Sequence, residues 1–148
     1  MKIQISLARS MGFINKRAAG CLFLAKDTRN FLVLLRSAKV PEPNTWGMLS
    51  GEIDDNEKPL VALKREIAEE VGTISGIEFT ALKTYDKDGF KFYSYLALVD
   101  NEFTPKLNFE NADFEWVRLG KFPQPMHPGF QWLLRNDMAP IAKAVRNI

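Results

Sequence analysis

Cysteine is nearly absent from this chain of 148 residues: Cys21 is the only one, so no intramolecular disulfide forms and a reducing, cytoplasmic setting is expected. Its run AAGCLFLA reads as apolar core, which makes Cys21 a small buried hydrophobe rather than a reactive thiol. Charge of one sign is lacking as well. Lys and Arg number 20 against 18 Asp and Glu, a balance that gives no large electrostatic footprint for a nucleic acid polymer or an anionic membrane. No apolar run approaches the roughly 20 residues that cross a bilayer, and the opening MKIQISLARSMGF has neither the apolar segment nor the small-residue cleavage site of a secretory signal. A soluble protein with no membrane partner is expected. Repeats, low-complexity tracts and linkers are missing too, so the length predicts one domain over residues 1–148 with a sizeable core.

What is present alternates between strand and helix patterns. IQISLA alternates apolar and polar residues like a half-exposed strand, whereas AAGCLFLA and FLVLLR are apolar on both faces, as central strands covered from both sides are. KDTRN between those two is a turn, VPEPNTWG a loop into a short strand, and GEIDDNE a second, acidic loop. A long helical pattern follows. Pro59 is tolerated only in the first turn, which starts this helix near Lys58, and Gly72 terminates it. GIEFTALKTY and FKFYSYLALV read as strands joined through DKDG, and FEWVRL as a further short strand after the polar loop NEFTPKLNFENAD. The last pattern, FQWLLRNDMAPIAKAVRNI, is helical, with Pro140 expected to kink or divide it. Strands around a central helix, with another helix at the end, predict an α/β fold with a mixed sheet between helical layers.

The central helix carries an electrostatic oddity. Leu60, Leu63, Ile67 and Val71 gather on one stripe at 100° per residue, and Glu66, Glu69 and Glu70 fall together on the flank beside it. Like charges three and four apart repel by a few tenths of a kcal/mol per pair, so stability alone does not account for them. One reading is a solvated acidic flank partly balanced by Lys64 and Arg65. The other is a cluster of hard oxygen ligands suited to Mg²⁺ or Mn²⁺, which retain waters and take further ligands from substrate phosphates.

The wider context favours the second reading, because the stretch from Gly51 to Thr73 resembles the signature of the Nudix hydrolases. Gly51, Glu57, Arg65, Glu66, Ile67, Glu69, Glu70 and Gly72 stand at that family's spacing, while Thr73 replaces its final aliphatic residue and is followed by Ile74. AAGCLFLA, the arginine ending FLVLLRS, and TWGMLSG also resemble the family's approach to its signature. The family more often has Pro-Gly-Gly where this chain has Leu49, Ser50 and Gly51.

The resemblance implies an α/β/α sandwich and a metal-dependent hydrolase, with Mg²⁺ or Mn²⁺ held by Glu66, Glu69 and Glu70, directly or through water, and by the Ser50 carbonyl. It implies that one of the helix acids, Glu66 or Glu69 in particular, helps deprotonate the attacking water, and that Glu57 and Arg65 brace the loop against the helix. A further catalytic carboxylate is expected from the loop before the last strand, where Glu110, Asp113 and Glu115 are available and Glu110, in the polar stretch, is preferred. The single histidine, His127, reads as a turn or surface residue and stays outside the catalytic set.

The implied substrate is a small nucleotide, a nucleoside diphosphate linked to another group. Arrays associated with dinucleotide-coenzyme and ADP-ribose hydrolases are not found, which shifts weight toward nucleoside triphosphates or dinucleoside polyphosphates. ADP-ribose or nucleotide-sugar cleavage and a non-catalytic nucleotide-binding module are the alternatives. A diphosphate isomerase of related fold lacks the accompanying cysteine at a plausible site. Phe13, Trp46, Tyr85, Phe92, Tyr93 and Trp116 are exposed-side candidates for stacking a base, with Trp46 and Trp116 also fitting as structural aromatics. The resemblance also admits a homodimer, formed through IQISLA or the terminal helix.

Overall fold

A computed structural model describes residues 16–148; the IQISLA segment and Phe13 lie outside the described residues. Ten elements follow in order: β1 (Lys16–Ala25), β2 (Phe31–Arg36), β3 (Trp46–Gly47), β4 (Leu49–Glu52), α1 (Pro59–Glu70), β5 (Glu78–Ala81), β6 (Tyr85–Lys87), β7 (Phe90–Val99), β8 (Asn111–Val117) and α2 (Pro128–Arg146).

β1 organises the sheet. One edge runs parallel to β7 along its whole length, from Lys16 opposite Phe90 to Ala25 opposite Val99. Its other edge is shared antiparallel between β4, with Gly20 opposite Ser50, and the start of β2, with Leu24 opposite Phe31. β3 and β8 then pair with β2, while β5 and β6 pair with β7, all antiparallel.

The period-2 alternation of β1 sorts its apolar residues to two sides. Cys21, Phe23 and Ala25 pack with Leu32, Leu34, Leu63 and Ile67, beneath α1, whereas Leu22 and Leu24 pack with Phe31, Val33, Phe130 and Leu134, beneath α2. The chain is therefore a mixed sheet between helices, the α/β/α arrangement expected from the sequence. Each fully buried leucine of these layers contributes about 1.5–3 kcal/mol relative to exposure, and Cys21 takes its place among them as core.

Proline and glycine set the ends of α1. Lys58 is the N-cap residue, Pro59 occupies the first turn, and at the far end the Val71 and Gly72 N–H groups both donate to the Ile67 carbonyl. Gly72 has φ of +102°, open to glycine at little cost. Ile74 packs against the core while Thr73 is exposed, so the aliphatic contact is supplied one residue later than in the family pattern.

Two strands differ from the sequence expectation. The strand expected over GIEFTALKTY divides into β5 and β6, because the Lys83 N–H between them leaves the ladder and donates to the Asp137 carboxylate on α2. β8 begins at Asn111, earlier than FEWVRL, since β2 still offers Arg36 as a partner past a bulge after Leu35. The kink expected from Pro140 in α2 is present, with its non-helical backbone at Asp137, φ −128° and ψ 23°. A helical proline clashes with the carbonyl one turn earlier, so the distortion falls before it in sequence. Among the described residues no helix is long and apolar enough to cross a membrane.

Candidate metal and active site

The acidic loop is tied to α1 by one guanidinium. Arg65 Nε and Nη2 donate to the two Glu57 carboxylate oxygens at 3.1 and 2.9 Å, Nη2 also donates to the Glu52 carbonyl at 3.1 Å, and Nη1 donates to Glu66 Oε1 at 2.8 Å. The Asp54 N–H closes the loop by donating to Glu57 Oε1 at 3.0 Å. The Arg65 hydrogen bonds, with that of Asp54, hold the Glu57 carboxyl at about 2. A depressed carboxyl contributes stability above its ordinary value of 4.5, and that contribution is lost as pH falls through about 2.

Arg65 thus positions Glu66 as well as bracing the loop. Arg65→Lys keeps the charge but replaces a planar fork with a point charge, which cannot serve Glu57, Glu52 and Glu66 together. A loss of about 10–100-fold in kcat, the usual scale for groups that orient metal ligands, is expected in steady-state assays, with the circular dichroism spectrum preserved.

Glu66, Glu69, Glu70 and Glu110 occupy unlike environments. Glu70 is only 2% exposed and its Oε2 has no hydrogen-bond partner among the described residues. Burial first, then hydrogen bonding and repulsion from Glu110 and Glu66, push its carboxyl up to about 10. Glu66 is also mostly covered, and burial raises its carboxyl despite the Arg65 contact. Glu110 reaches this pair from the loop before β8, whereas the Glu69 side chain is 57% exposed and lies 3.6 Å from Arg65 Nη1. Glu66, Glu70 and Glu110 are therefore brought together, and Glu69 stands at the rim. Asp113 and Glu115 are exposed on β8 and do not line the cleft.

Ser50 and Gly51 form the floor opposite these acids. Ser50 sits in extended β4 opposite Gly20 and lines the cleft with Glu70 and Glu110. Its replacement of the family's glycine is accommodated there, because it is not among the residues with positive φ. The adjoining cleft, about 300 Å³, is lined by Gly51, Glu66, Glu110 and Arg36 among others.

Arg36 ends β2 beside the acids. Its Nε donates to the Pro41 carbonyl at 2.7 Å, and burial lowers its pKa against the opposing attraction of Glu110, Glu42 and Glu70. It also lines a second cavity, on the α2 side of the sheet, whose walls include Tyr85, Phe92, Ser94, His127 and Trp132. The sequence had marked only an arginine ending a buried strand; its position between cleft and cavity depends on the fold.

His127 corrects a sequence expectation. It is 8% exposed rather than a surface residue, caps α2 by accepting from the Gly129 N–H at Nδ1 over 3.0 Å, and is held by its own N–H to the Trp46 carbonyl at 2.8 Å. Burial, then Arg36, lowers its pKa to about 4. Of the aromatic candidates, Tyr85 and Phe92 are buried in the cavity wall rather than exposed. Trp116 is scaffold, its Nε1 donating to the Phe103 carbonyl at 2.9 Å. Trp46 packs partly into the α2-side core, and Tyr93 lies under Lys91 Nζ at 5.5 Å.

Among the described residues, no three His, Cys, Asp or Glu side chains are already set as a metal cage. The donors nevertheless suit Mg²⁺ or Mn²⁺, which use few carboxylates and complete their shells with water and phosphate oxygens. The observation that fits is the buried Glu70 Oε2, which has no hydrogen-bond partner among the described residues and faces two further carboxylates: a bound cation would satisfy it.

Comparison with known proteins agrees with this geometry. The NUDIX domain family model matches residues 14–136. No curated protein matches the chain. Among solved structures, the MutT NUDIX hydrolase from Burkholderia pseudomallei is similar at 21% identity and TM-score 0.61, over 82% of this chain and 98% of that one. An Ap4A hydrolase binary complex from C. elegans is similar at 21% identity and TM-score 0.55, over 88% and 93%. The NUDIX domain of Shewanella oneidensis NrtR, complexed with ADP ribose, is similar at 19% identity and TM-score 0.62, over 82% and 84%.

Proposed function

The chain belongs to the Nudix family, and on that premise we propose that it is a metal-dependent hydrolase of a phosphoanhydride bond in a nucleoside diphosphate linked to another group, with nucleoside triphosphates or dinucleoside polyphosphates as the preferred class. The observation that carries this reading is the meeting of Glu66, Glu70 and Glu110 beside Arg36, at the end of the sheet where the cleft opens. Relatives of the same fold include a MutT protein and an Ap4A hydrolase, in keeping with that substrate class.

Glu66 and Glu70, with Glu69 directly or through water and the Ser50 carbonyl, are the groups that would hold Mg²⁺ or Mn²⁺; the ion supplies positive charge for the phosphates and acidifies water. The chain's own residues do the rest. Arg36 binds phosphate oxygens across from the acids, Arg65 keeps Glu66 in place, and the half-buried cleft limits competing water. As water attacks phosphorus, a new P–O bond forms, the bridging P–O bond breaks, and the departing phosphate carries the electron pair. The proton passes to one of the proposed catalytic acids, Glu66, Glu69 or Glu110, and then to solvent.

Product analysis tests this directly. The protein is incubated with Mg²⁺, then Mn²⁺, and nucleoside triphosphates, oxidised guanine nucleotides, dinucleoside polyphosphates, ADP-ribose, NADH or nucleotide sugars. Metal-dependent cleavage of a triphosphate or dinucleoside polyphosphate is the expected result, and ¹⁸O-water locates the attacked phosphorus. Cleavage confined to ADP-ribose, the ligand of the NrtR domain, would move the substrate class. Silence across the panel with metal bound would replace the hydrolase with a binding module.

A further inference from the structure

Of the three acids that meet in the cleft, Glu66 and Glu70 are carried by α1, and Glu110 alone comes from a loop. Helix geometry fixes the first two. A loop side chain works only where the scaffold ties its backbone down, and both backbone groups of Glu110 are tied. Its N–H donates to Asn108 Oδ1 at 2.9 Å, and its carbonyl accepts from the Ser37 N–H, also at 2.9 Å, just past the end of β2.

Asn108 closes the turn a second time, its own carbonyl accepting from the Asn111 N–H at 3.3 Å. That backbone bond is long, so the shorter bond to the side chain is the stronger of the two. An asparagine at the first position of a tight turn, folding its amide oxygen back onto the N–H two residues on, is the arrangement that short side chain favours. The turn sorts its two corners. Phe109 is thrown outward and 69% exposed, whereas Glu110 lines the cleft beside Glu70 and Glu66. The pairing of β8 with β2 does not do this sorting, because its register shifts between Leu35 and Arg36, next to where β8 begins at Asn111.

We propose that Asn108 is a positioning residue for hydrolysis: its side-chain oxygen, by holding the Glu110 N–H, keeps the Glu110 carboxylate turned into the cleft against Glu70. Asn108 acts through Glu110 and not on the substrate. The inference rests on the hydrolase reading and on Glu110 as one of its acids.

The acceptor can be varied at one atom. Asn108→Asp keeps an oxygen at the same reach, Asn108→Ser offers a weaker one, and Asn108→Ala none. Steady-state assays use Mg²⁺ and the triphosphate or dinucleoside polyphosphate that the parent cleaves. Asn108→Ala is expected to lose about tenfold or more in kcat, the scale of groups that orient a working side chain. KM should stay within about threefold, because the loss falls on the transition state. Asn108→Asp should keep kcat near the parent, with Asn108→Ser between the two. In a Glu110→Gln background, Asn108→Ala should change kcat by less than about twofold, since nothing remains for it to position. A merely structural role would subtract equally in both backgrounds.

A second arm needs no turnover. Metal-free melts at pH 8 of Glu70→Gln, Glu110→Gln and the double variant measure how strongly the two side chains interact, and a non-additivity of about 2 °C or more in Tm is expected for groups in contact. Asn108→Ala should cut that coupling by about half or more, and Asn108→Asp should preserve it.

Full kcat in Asn108→Ala, an equal loss in the Glu110→Gln background, Asn108→Asp as impaired as Asn108→Ala, or a Glu70–Glu110 coupling untouched by Asn108→Ala would each overturn the proposal. Should Asn108→Ala not fold, Asn108→Ser carries both arms with the same signs. A parent that cleaves nothing ends the hydrolase reading, and the melts then decide alone whether Asn108 sets Glu110 against Glu70.

Discussion

Glu70→Gln is expected to lower turnover by about 10²-fold or more, beyond the roughly 10–100-fold scale of groups that only orient metal ligands, while the metal-free protein becomes more heat-stable than the parent at pH 8. The two effects have one origin. Glu70 is 2% exposed, its Oε2 has no hydrogen-bond partner among the described residues, and its carboxyl is pushed up to about 10 by burial and by Glu110 and Glu66. Between its ordinary 4.5 and about 10 the folded state holds a proton that the unfolded state has released. Stability is therefore fully present below 4.5 and declines as pH rises toward 10. Glutamine has the same shape, carries no charge and removes this dependence; the gain should be about 1–3 kcal/mol, the scale of an unsatisfied buried polar group.

Mg²⁺ is expected to reverse the comparison. Binding to the proposed ligands Glu66 and Glu70 would require their deprotonated forms, so affinity should rise with pH and binding should release protons. The parent should gain Tm with added Mg²⁺ as mass action dictates, and Glu70→Gln should not. Thermal melts in EDTA and in Mg²⁺ across pH 5–9, with calorimetry in buffers of different ionisation enthalpy, measure both signs. A variant as active as the parent, or a metal-free stability whose pH dependence between 5 and 8 is the same in Glu70→Gln as in the parent, would remove Glu70 from the site; the comparison cancels His127, whose lowered pKa makes stability rise with pH in both proteins.

That Glu70 is buried and Glu69 exposed, one position apart, was not legible from helix periodicity. The sequence pattern correctly groups Leu60, Leu63, Ile67 and Val71 on the packed stripe, the last three buried and Leu60 partly so, with Glu66 and Glu70 one turn apart beside it. Which flank is then covered depends on Ser50 in β4 and on Glu110 from the loop before β8, and these are joined to the helix only through the sheet. The bounds of α1 were legible because Pro59 and Gly72 act on their own neighbours. The two-sided character of β1 was legible because it lies in the alternation itself.

His127 shows the opposite limit. Its run PQPMHPGF has the local chemistry of a turn, and the residue is indeed the cap of α2. Its burial comes from the bond to the Trp46 carbonyl and from the close approach of Gly47, where a Cβ would stand 3.2 Å from the His127 Cβ. Such a contact links positions far apart in the chain, and nothing in a local window announces it. The Asp137 distortion is similar: Pro140 signals a kink, while its exact place is shared with the Lys83 N–H from the β5–β6 connection.

Gly51→Ala should silence the enzyme while leaving it folded, and the reason is steric rather than conformational. Gly51 is extended in β4 opposite Ala19 and has no positive φ, so the backbone accepts alanine. Its added methyl, however, would overlap the Glu66 Cγ and Cδ atoms and stand 2.5 Å from Oε2. The side chain is the movable partner: Glu66 must swing away from the floor, taking its carboxylate from Glu70 and breaking the bond from Arg65 Nη1. A loss of about 10²-fold or more in kcat is expected, because a displacement near 1 Å in a reacting constellation already has that effect. Tm should fall by only a few degrees, since the side chain rather than the core absorbs the overlap. Gly20→Ala provides the contrast, for its methyl would lie 2.7 Å from the Leu49 carbonyl oxygen and 2.8 Å from Phe92 Cζ, and neither can leave without disturbing the sheet. Steady-state kinetics and thermal melts on both variants separate the cases: Gly51→Ala loses activity before stability, and Gly20→Ala loses stability first. Full activity in folded Gly51→Ala would mean that Glu66 works from a position other than the one against β4.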